Sequence, residues 1–189
     1  MKTKQGKLFV ISGPSGVGKT TICKELCASF SNLKWSVSCT TRQKRNQEVE
    51  GQDYYFLSKE KFLERIQQDG FIEYALVHGN YYGTPKKEIE ESLQKGNNCL
   101  LEIDVQGGRK VKSDSAYTSV LIFIAPPAMN TLLERLHGRH SDTEETIQKR
   151  IQNAQKEMKD ADFYDYIVVN ENLQECIEKV KKIVSDQMM

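Results

Sequence analysis

Residues 13–21 read "GPSGVGKTT". Just upstream lies "KLFVIS" (7–12), a short apolar run that suits a fully buried strand. Just downstream, "TICKELCASF" (21–30) carries its apolar residues at helical spacing. A glycine-rich turn between a buried strand and a helix is the context that G-x-x-x-x-G-K-[ST] requires. The glycines allow positive φ and close approach of backbone to a phosphate. The exposed N–H groups then form an anion nest at a helix N-terminus. Lys19 supplies a mobile cation for the β/γ oxygens, and Thr20 offers a hydroxyl to Mg²⁺. The turn thus predicts a nucleoside triphosphate site made of Gly13, Pro14, Ser15, Gly16, Val17, Gly18, Lys19, Thr20 and Thr21. It does not say what accepts the phosphoryl group.

Working outward, strands are predicted at 34–39, 53–57, 98–105, 119–127 and 164–170. Helices are predicted after Ser58, from the cap-and-proline pair Thr84-Pro85 to Gly96, and on both sides of a polar interruption at 138–142. Ser141 and Glu144 fit a capping box. A closing helix starts at Asn172 and runs to about Val184. Strands alternating with helices imply an α/β fold: a parallel sheet flanked by helices. Residues 53–84 break that rhythm with a hairpin turning at Gly79-Asn80, which implies a small mixed subdomain inserted into the core.

The composition bounds the rest. With 38% hydrophobic and 28% charged residues, the chain can bury a core and stay soluble. The formal net charge of +1 gives no bulk attraction to nucleic acid or membrane, so any useful charge must be clustered. Five scattered cysteines without a C-x-x-C pair predict free thiols in a reducing compartment, although Cys23 and Cys27 stand one helical turn apart. No apolar run reaches the length of a membrane helix, and the N-terminus leaves no room for a signal peptide. A cytoplasmic protein is the expectation.

Three further clusters carry chemistry. "SVSCTTRQKR" (36–45) puts Ser38, Arg42 and Arg45 at the carboxyl end of a strand, where open α/β sheets bind ligands. Two guanidinium forks suit a phosphate, with phenols from Tyr54 and Tyr82; a solvated basic loop is the other reading. "CLLEIDVQGG" sets Glu102 and Asp104 two apart at a strand end, suited to Mg²⁺ through water or to capping the next turn. Arg135, Arg139 and Arg150 flank the interruption, as a lid or as ordinary solvated helix arginines.

Glu73, inside "FIEYALVHGNYYGTP" (71–85), stands among apolar neighbours on both faces of its strand. A carboxylate there needs a partner. Guanine offers a ring N–H and an exocyclic amine side by side, and adenine lacks that pair. Ser38 or Thr84 could donate to the guanine carbonyl. A salt bridge to Arg42 or Arg45, or exposure on an edge strand, would also explain Glu73.

Taken together, "SGPSGVGKTT", "SVSCTTRQKR", "EGQDYYF", "FIEYALVHGNYYGTP", "LLEIDVQG", "GRHSDTEETIQKR" and "YIVVN" resemble the guanylate kinases of bacteria, in the family's order across residues 7–172. The resemblance implies a P-loop core (1–35, 96–129, 160–189), a GMP-binding subdomain (36–95) and a helical lid (130–159). It implies MgATP-dependent phosphorylation of GMP to GDP. By motif position, Arg42, Arg45, Tyr54 and Tyr82 would hold the GMP phosphate, and Ser38, Glu73, Thr84 and Asp104 would read or support the guanine. Lys19, Arg45, Arg135, Arg139 and Arg150 would serve catalysis, with Asn170 near the adenine. The chain departs from the pattern in "RQKRNQE", which lacks the prolines and glycine common there, and at His140, where a glycine is usual. An interaction module that keeps the fold without catalysis, or a kinase for another nucleotide, are the competing readings.

Overall fold

The structure, a computed structural model, describes residues 5–77, 79–137 and 144–189. Strand β1 (Leu8–Ser12) is buried along its whole length. It pairs in parallel with β7 (Asn98–Glu102) and β8 (Ser119–Ala125). With β2 (Leu33–Trp35) and β9 (Tyr166–Val169) at the edges, the sheet order is β2-β7-β1-β8-β9. Apolar runs such as Val120–Ala125 form its centre because helices cover both faces.

On one face, Phe9, Ile11 and Leu100 pack with Ile22 and Leu26 of α1 (Lys19–Ser29) and Val180 of α7 (Leu173–Met188). On the other, Leu8, Leu101 and Phe123 pack with Leu93 of α3 (Lys86–Gln94) and Val111 of α4 (Val105–Ser113). Each large side chain so buried contributes about 1.5–3 kcal/mol.

A second sheet has the order β4-β3-β6-β5, from β3 (Cys39–Thr40), β4 (Tyr55–Phe56), β5 (Phe71–Val77) and β6 (Asn80–Pro85). It packs on Phe62 of α2 (Lys59–Gln67), which stacks on Phe71. The expected strand at 34–39 is therefore two strands in two sheets. The Ser36 amide bonds Leu100 O in the core, whereas Ser38 O already accepts from Tyr55 in the second sheet. The local pattern continues through the crossing and cannot mark it.

The hairpin forms, with Gly79 at φ 80° in its turn, but Asn80, expected in the turn, already pairs with Val77 as the first residue of β6. Its burial alternates: Phe71, Glu73 and Ala75 are buried, and Tyr74 and Leu76 are exposed. So β5 does have a solvent face, contrary to its apolar pattern, and Glu73 is not on it. A bulge between Phe71 and Glu73 brings Glu73 opposite Thr84.

Other expectations need correcting. The strand expected to reach residue 105 stops at Glu102, and Asp104 instead caps α4, accepting from the Gly107 amide at 2.8 Å. Gly107 and Gly108 lie inside that helix. Thr84 is not a helix cap: it belongs to β6, and the N-cap position of α3, which starts at Lys86, falls on Pro85, with no side-chain cap bond. The closing helix runs on to Met188. Ser58 and Asn172 do cap their helices, through Lys61 N and Glu175 N.

Helices α5 (Met129–His137) and α6 (Glu144–Lys159) pack through Leu132, Leu136, Ile147 and Ala154. The interruption at 138–142, with Arg139, His140 and the capping-box residue Ser141, lies outside the described residues. Among the described residues, no helix is long and apolar enough to cross a membrane.

Candidate active site

The turn after β1 takes up the conformations its glycines permit: φ is 142° at Gly13, 90° at Gly16 and 100° at Gly18. At Gly13 a side chain would also meet Ile124 O at 2.2 Å, so the loop sits directly on β8. Lys19 arches back, donating to Gly13 O at 2.6 Å and Pro14 O at 3.0 Å. Around this loop the structure gathers three of the expected partners. Asn170, buried, donates from Nδ2 to Val17 O at 2.8 Å. Arg135 donates to Asn170 O at 3.2 Å, and Arg150 of α6 donates to Ser15 Oγ at 2.7 Å.

Thr20 donates its hydroxyl to Glu102 Oε1 at 2.8 Å. A hydroxyl and a carboxylate thus meet beside the loop, at the end of the neighbouring parallel strand. Both oxygens of Asp104 are engaged by the turn it caps, Oδ1 by Gly107 N and Oδ2 by Gln106 Nε2 at 3.2 Å. Among the described residues no cluster of three or more His, Cys, Asp or Glu could hold a metal. The expected pairing of Glu102 with Asp104 on one strand face is therefore corrected: the two belong to different elements. The five cysteines are free thiols.

In the second sheet, Arg42 holds Glu48 with both forks, at 2.6 Å and 3.0 Å, and lies 5.5 Å from the Tyr54 ring centroid. Tyr54 meets Tyr82 edge to face at 6.0 Å, and burial pushes its phenol up to about 12. Arg45 bonds the same Glu48 through its backbone amide, at 2.8 Å, while its side chain is exposed. The two arginines lie in a loop, and Glu48 organises them there. Partial burial pushes the Glu48 carboxyl up, but its Arg42 and Arg45 bonds outweigh this and hold it below the usual range. Glu48 drew no functional reading from sequence, although its spacing of six from Arg42 and three from Arg45 was a usable signal.

Glu73 is 4% exposed and accepts from the Thr84 hydroxyl at 2.6 Å. Neither Arg42 nor Arg45 pairs with it, and it is not exposed on an edge, so both alternative explanations fall. Burial pushes its carboxyl up to about 7, against the Thr84 hydrogen bond and with help from the Asp104 charge. Ser38 is half-buried where the chain crosses between the sheets.

A cavity of about 380 Å³ opens where the hairpin, α4 and α6 converge, lined among others by Leu76, Asp104 and Glu157. Glu157, two helical turns after Arg150, was missed. Burial pushes its carboxyl up to about 7, with Lys19 countering. Its spacing of seven from Arg150 places both on one face of α6.

The comparisons with known proteins bear on the whole chain. A family model described as guanylate kinase matches residues 5–187. The chain belongs to the guanylate kinase family. Members phosphorylate GMP, and that activity is this chain's. It is 48% identical over 183 residues to a guanylate kinase of Clostridium perfringens (strain SM101 / Type A), covering 97% of this chain and 84% of the relative. A guanylate kinase of Desulfitobacterium hafniense is 45% identical, over 97% of this chain and 92% of the relative. The crystal structure of guanylate kinase from Anaplasma phagocytophilum superposes with a TM-score of 0.83 at 35% identity, covering 100% of this chain and 89% of that one. The guanylate kinase fold, a parallel core sheet beside a small mixed sheet, is thus shared with a solved relative.

Proposed function

We propose that this guanylate kinase transfers the γ-phosphoryl group of ATP to GMP across the cleft between its two sheets, with the residues in these roles. The turn at 13–21 cradles the ATP phosphates, and Asn170 supports both that turn and the adenine side. Lys19, Arg135, Arg139 and Arg150 neutralise the charge on the transferring group, joined by Arg45 from the GMP side. The hydrogen bonds of Arg135 and Arg150 to the loop region support this. Arg42, Arg45, Tyr54 and Tyr82 hold the GMP phosphate, with Glu48 presenting the first two.

Ser38, Glu73 and Thr84 read the guanine, and Asp104 supports them by fixing the first turn of α4. The observation that carries the base assignment is Glu73: buried, without an ion-pair partner among the described residues, and hydrogen-bonded by one oxygen to Thr84. Its carboxylate can accept from the ring N–H and amine of guanine, a pair that AMP cannot supply.

The Thr20–Glu102 contact fits Mg²⁺, a hard cation that keeps most of its waters and takes few protein oxygens. Thr20 would hold the ion directly, and Glu102 and Asp104 through water. Mg²⁺ would neutralise phosphate charge on the ATP. A three-part division suits the two sheets and the α5–α6 pair: core at 1–35, 96–129 and 160–189, GMP-binding part at 36–95, lid at 130–159. Five free thiols suit a cytoplasmic setting.

Coupled measurement of ADP release with ATP and each nucleoside monophosphate tests the assignment. GMP is expected to turn over far faster than AMP. Equal turnover of the two would refute the guanine-reading roles.

A further inference from the structure

Gly107 and Gly108 lie consecutively in the first turns of α4, both buried. Neither has a positive φ, so nothing in the backbone demands glycine. Alanine would be the better helix former at either position. What excludes a side chain at 107 is space. A Cβ there would lie 2.5 Å from Glu73 Oε2, 3.0 Å from Glu73 Cδ and 3.3 Å from Ile103 Cδ1. Glu73 cannot yield freely, because it is 4% exposed and its other oxygen is held by Thr84 at 2.6 Å. A methyl group at 107 must therefore push the carboxylate off that hydrogen bond or push α4 away from β5.

We propose that Gly107 is a positioning residue for base selection: its missing side chain is the seat that fixes the Glu73 carboxylate between Thr84 and the first turn of α4. The proposal rests on the reading of Glu73 as the guanine acceptor. It explains why a poor helix former stands inside a helix, and it adds to the site a residue with no functional group.

The test is steady-state kinetics with ATP and either GMP or AMP, together with thermal melts, on Gly107→Ala, Glu73→Ala and the double variant. Misplacing a reactive or binding group by about 1 Å costs on the order of 10²-fold. Gly107→Ala is therefore expected to raise the KM for GMP by about 10- to 100-fold and lower the GMP-over-AMP preference alike, with the KM for ATP within about 2-fold. In the Glu73→Ala background the methyl group has room, so Gly107→Ala should add less than about 2-fold. An unchanged KM for GMP in Gly107→Ala, or a double variant whose loss is the product of the two single losses, overturns the proposal. If Gly107→Ala alone does not fold, a folded double variant supports the seat and an unfolded one overturns it. Failure of the underlying reading shows separately, as a Glu73→Ala enzyme that keeps its GMP preference. The melting temperatures then decide the seat: non-additive shifts support it, and additive shifts overturn it.

Discussion

Glu73→Gln separates what the buried carboxylate costs from what it does. Burial raises the Glu73 carboxyl from 4.5 to about 7. The folded protein therefore holds the proton more tightly than the unfolded chain does. Between those two values the folded state binds more protons at Glu73, so this group's contribution to stability falls as pH rises from about 4.5 to about 7 and is level above. At about 1.4 kcal/mol for each factor of ten, the ionised carboxylate costs the unliganded fold up to about 3 kcal/mol above pH 7. Glutamine has the same shape and an oxygen that can still accept from Thr84, but no charge to desolvate. The variant should match the parent near pH 4.5 and exceed it at pH 8.5, by up to about 10 °C in melting temperature for a chain of this size.

The same substitution should remove guanine selection, because an amide cannot accept from two adjacent donors with both of its groups. The GMP-over-AMP preference is expected to fall on the order of 10²- to 10⁴-fold. The proposed guanine contact needs the ionised carboxylate, so the KM for GMP in the parent should rise as pH drops below about 7, and that slope should flatten in the variant. Melts from pH 5 to 9 and kinetics from pH 6.5 to 8.5 read all three effects. A variant no more stable than the parent at pH 8.5 would refute the buried-charge reasoning, and a retained preference for GMP would refute the reading role.

Three other substitutions probe the remaining assignments. Arg45→Ala should raise the KM for GMP by about 10- to 100-fold, from loss of a charge-assisted phosphate contact, while GMP and AMP keep their relative order; kinetics with both acceptors check this. Thr20→Val keeps the side-chain shape but removes the hydroxyl at Glu102, so half-maximal activity should need several-fold more Mg²⁺, measured by titrating the metal at fixed ATP. Asn170→Ala strips the Val17 carbonyl of its 2.8 Å partner in a buried setting, which should cost about 1–3 kcal/mol by denaturant unfolding and raise the KM for ATP.

The sequence disclosed most where chemistry depends on close spacing. Gly13 to Thr20 must be contiguous to wrap a phosphate, so strand, loop and helix could all be read from them. Ser58 and Asn172 were legible as caps because a cap acts within three residues. What the sequence hid was non-local. The passage from β2 to β3 keeps one strand-like pattern while the chain changes sheets, since the hydrogen-bond partners, Leu100 and Tyr55, are set elsewhere. Thr84 looked like a cap because capping and holding Glu73 both need a hydroxyl, and only the bulge in β5 decides between them. Glu157 looked like any other charge on an amphipathic helix, because nothing local says that α6 lines a cavity with the hairpin and α4.

The helix that escaped prediction, α4, is also where the two halves of the site meet, and the two facts have one cause. Its first residues are Val105, Gln106, Gly107 and Gly108, a poor start by helix propensity. Asp104 caps it and, by its charge, helps keep the Glu73 carboxyl high. Gly107 leaves room for that carboxylate from the small sheet. At Gly108 a Cβ would lie 2.5 Å from the Tyr164 hydroxyl and 3.5 Å from Ser12 Oγ, and Ser12 is the residue just before the phosphate loop. A single turn of helix thus touches Glu73 on one side and the foundation of the phosphate loop on the other. Larger residues would make the helix easier to predict and would fill both contacts. Local propensity fails at this turn because packing against the site, rather than helix formation, chose its residues.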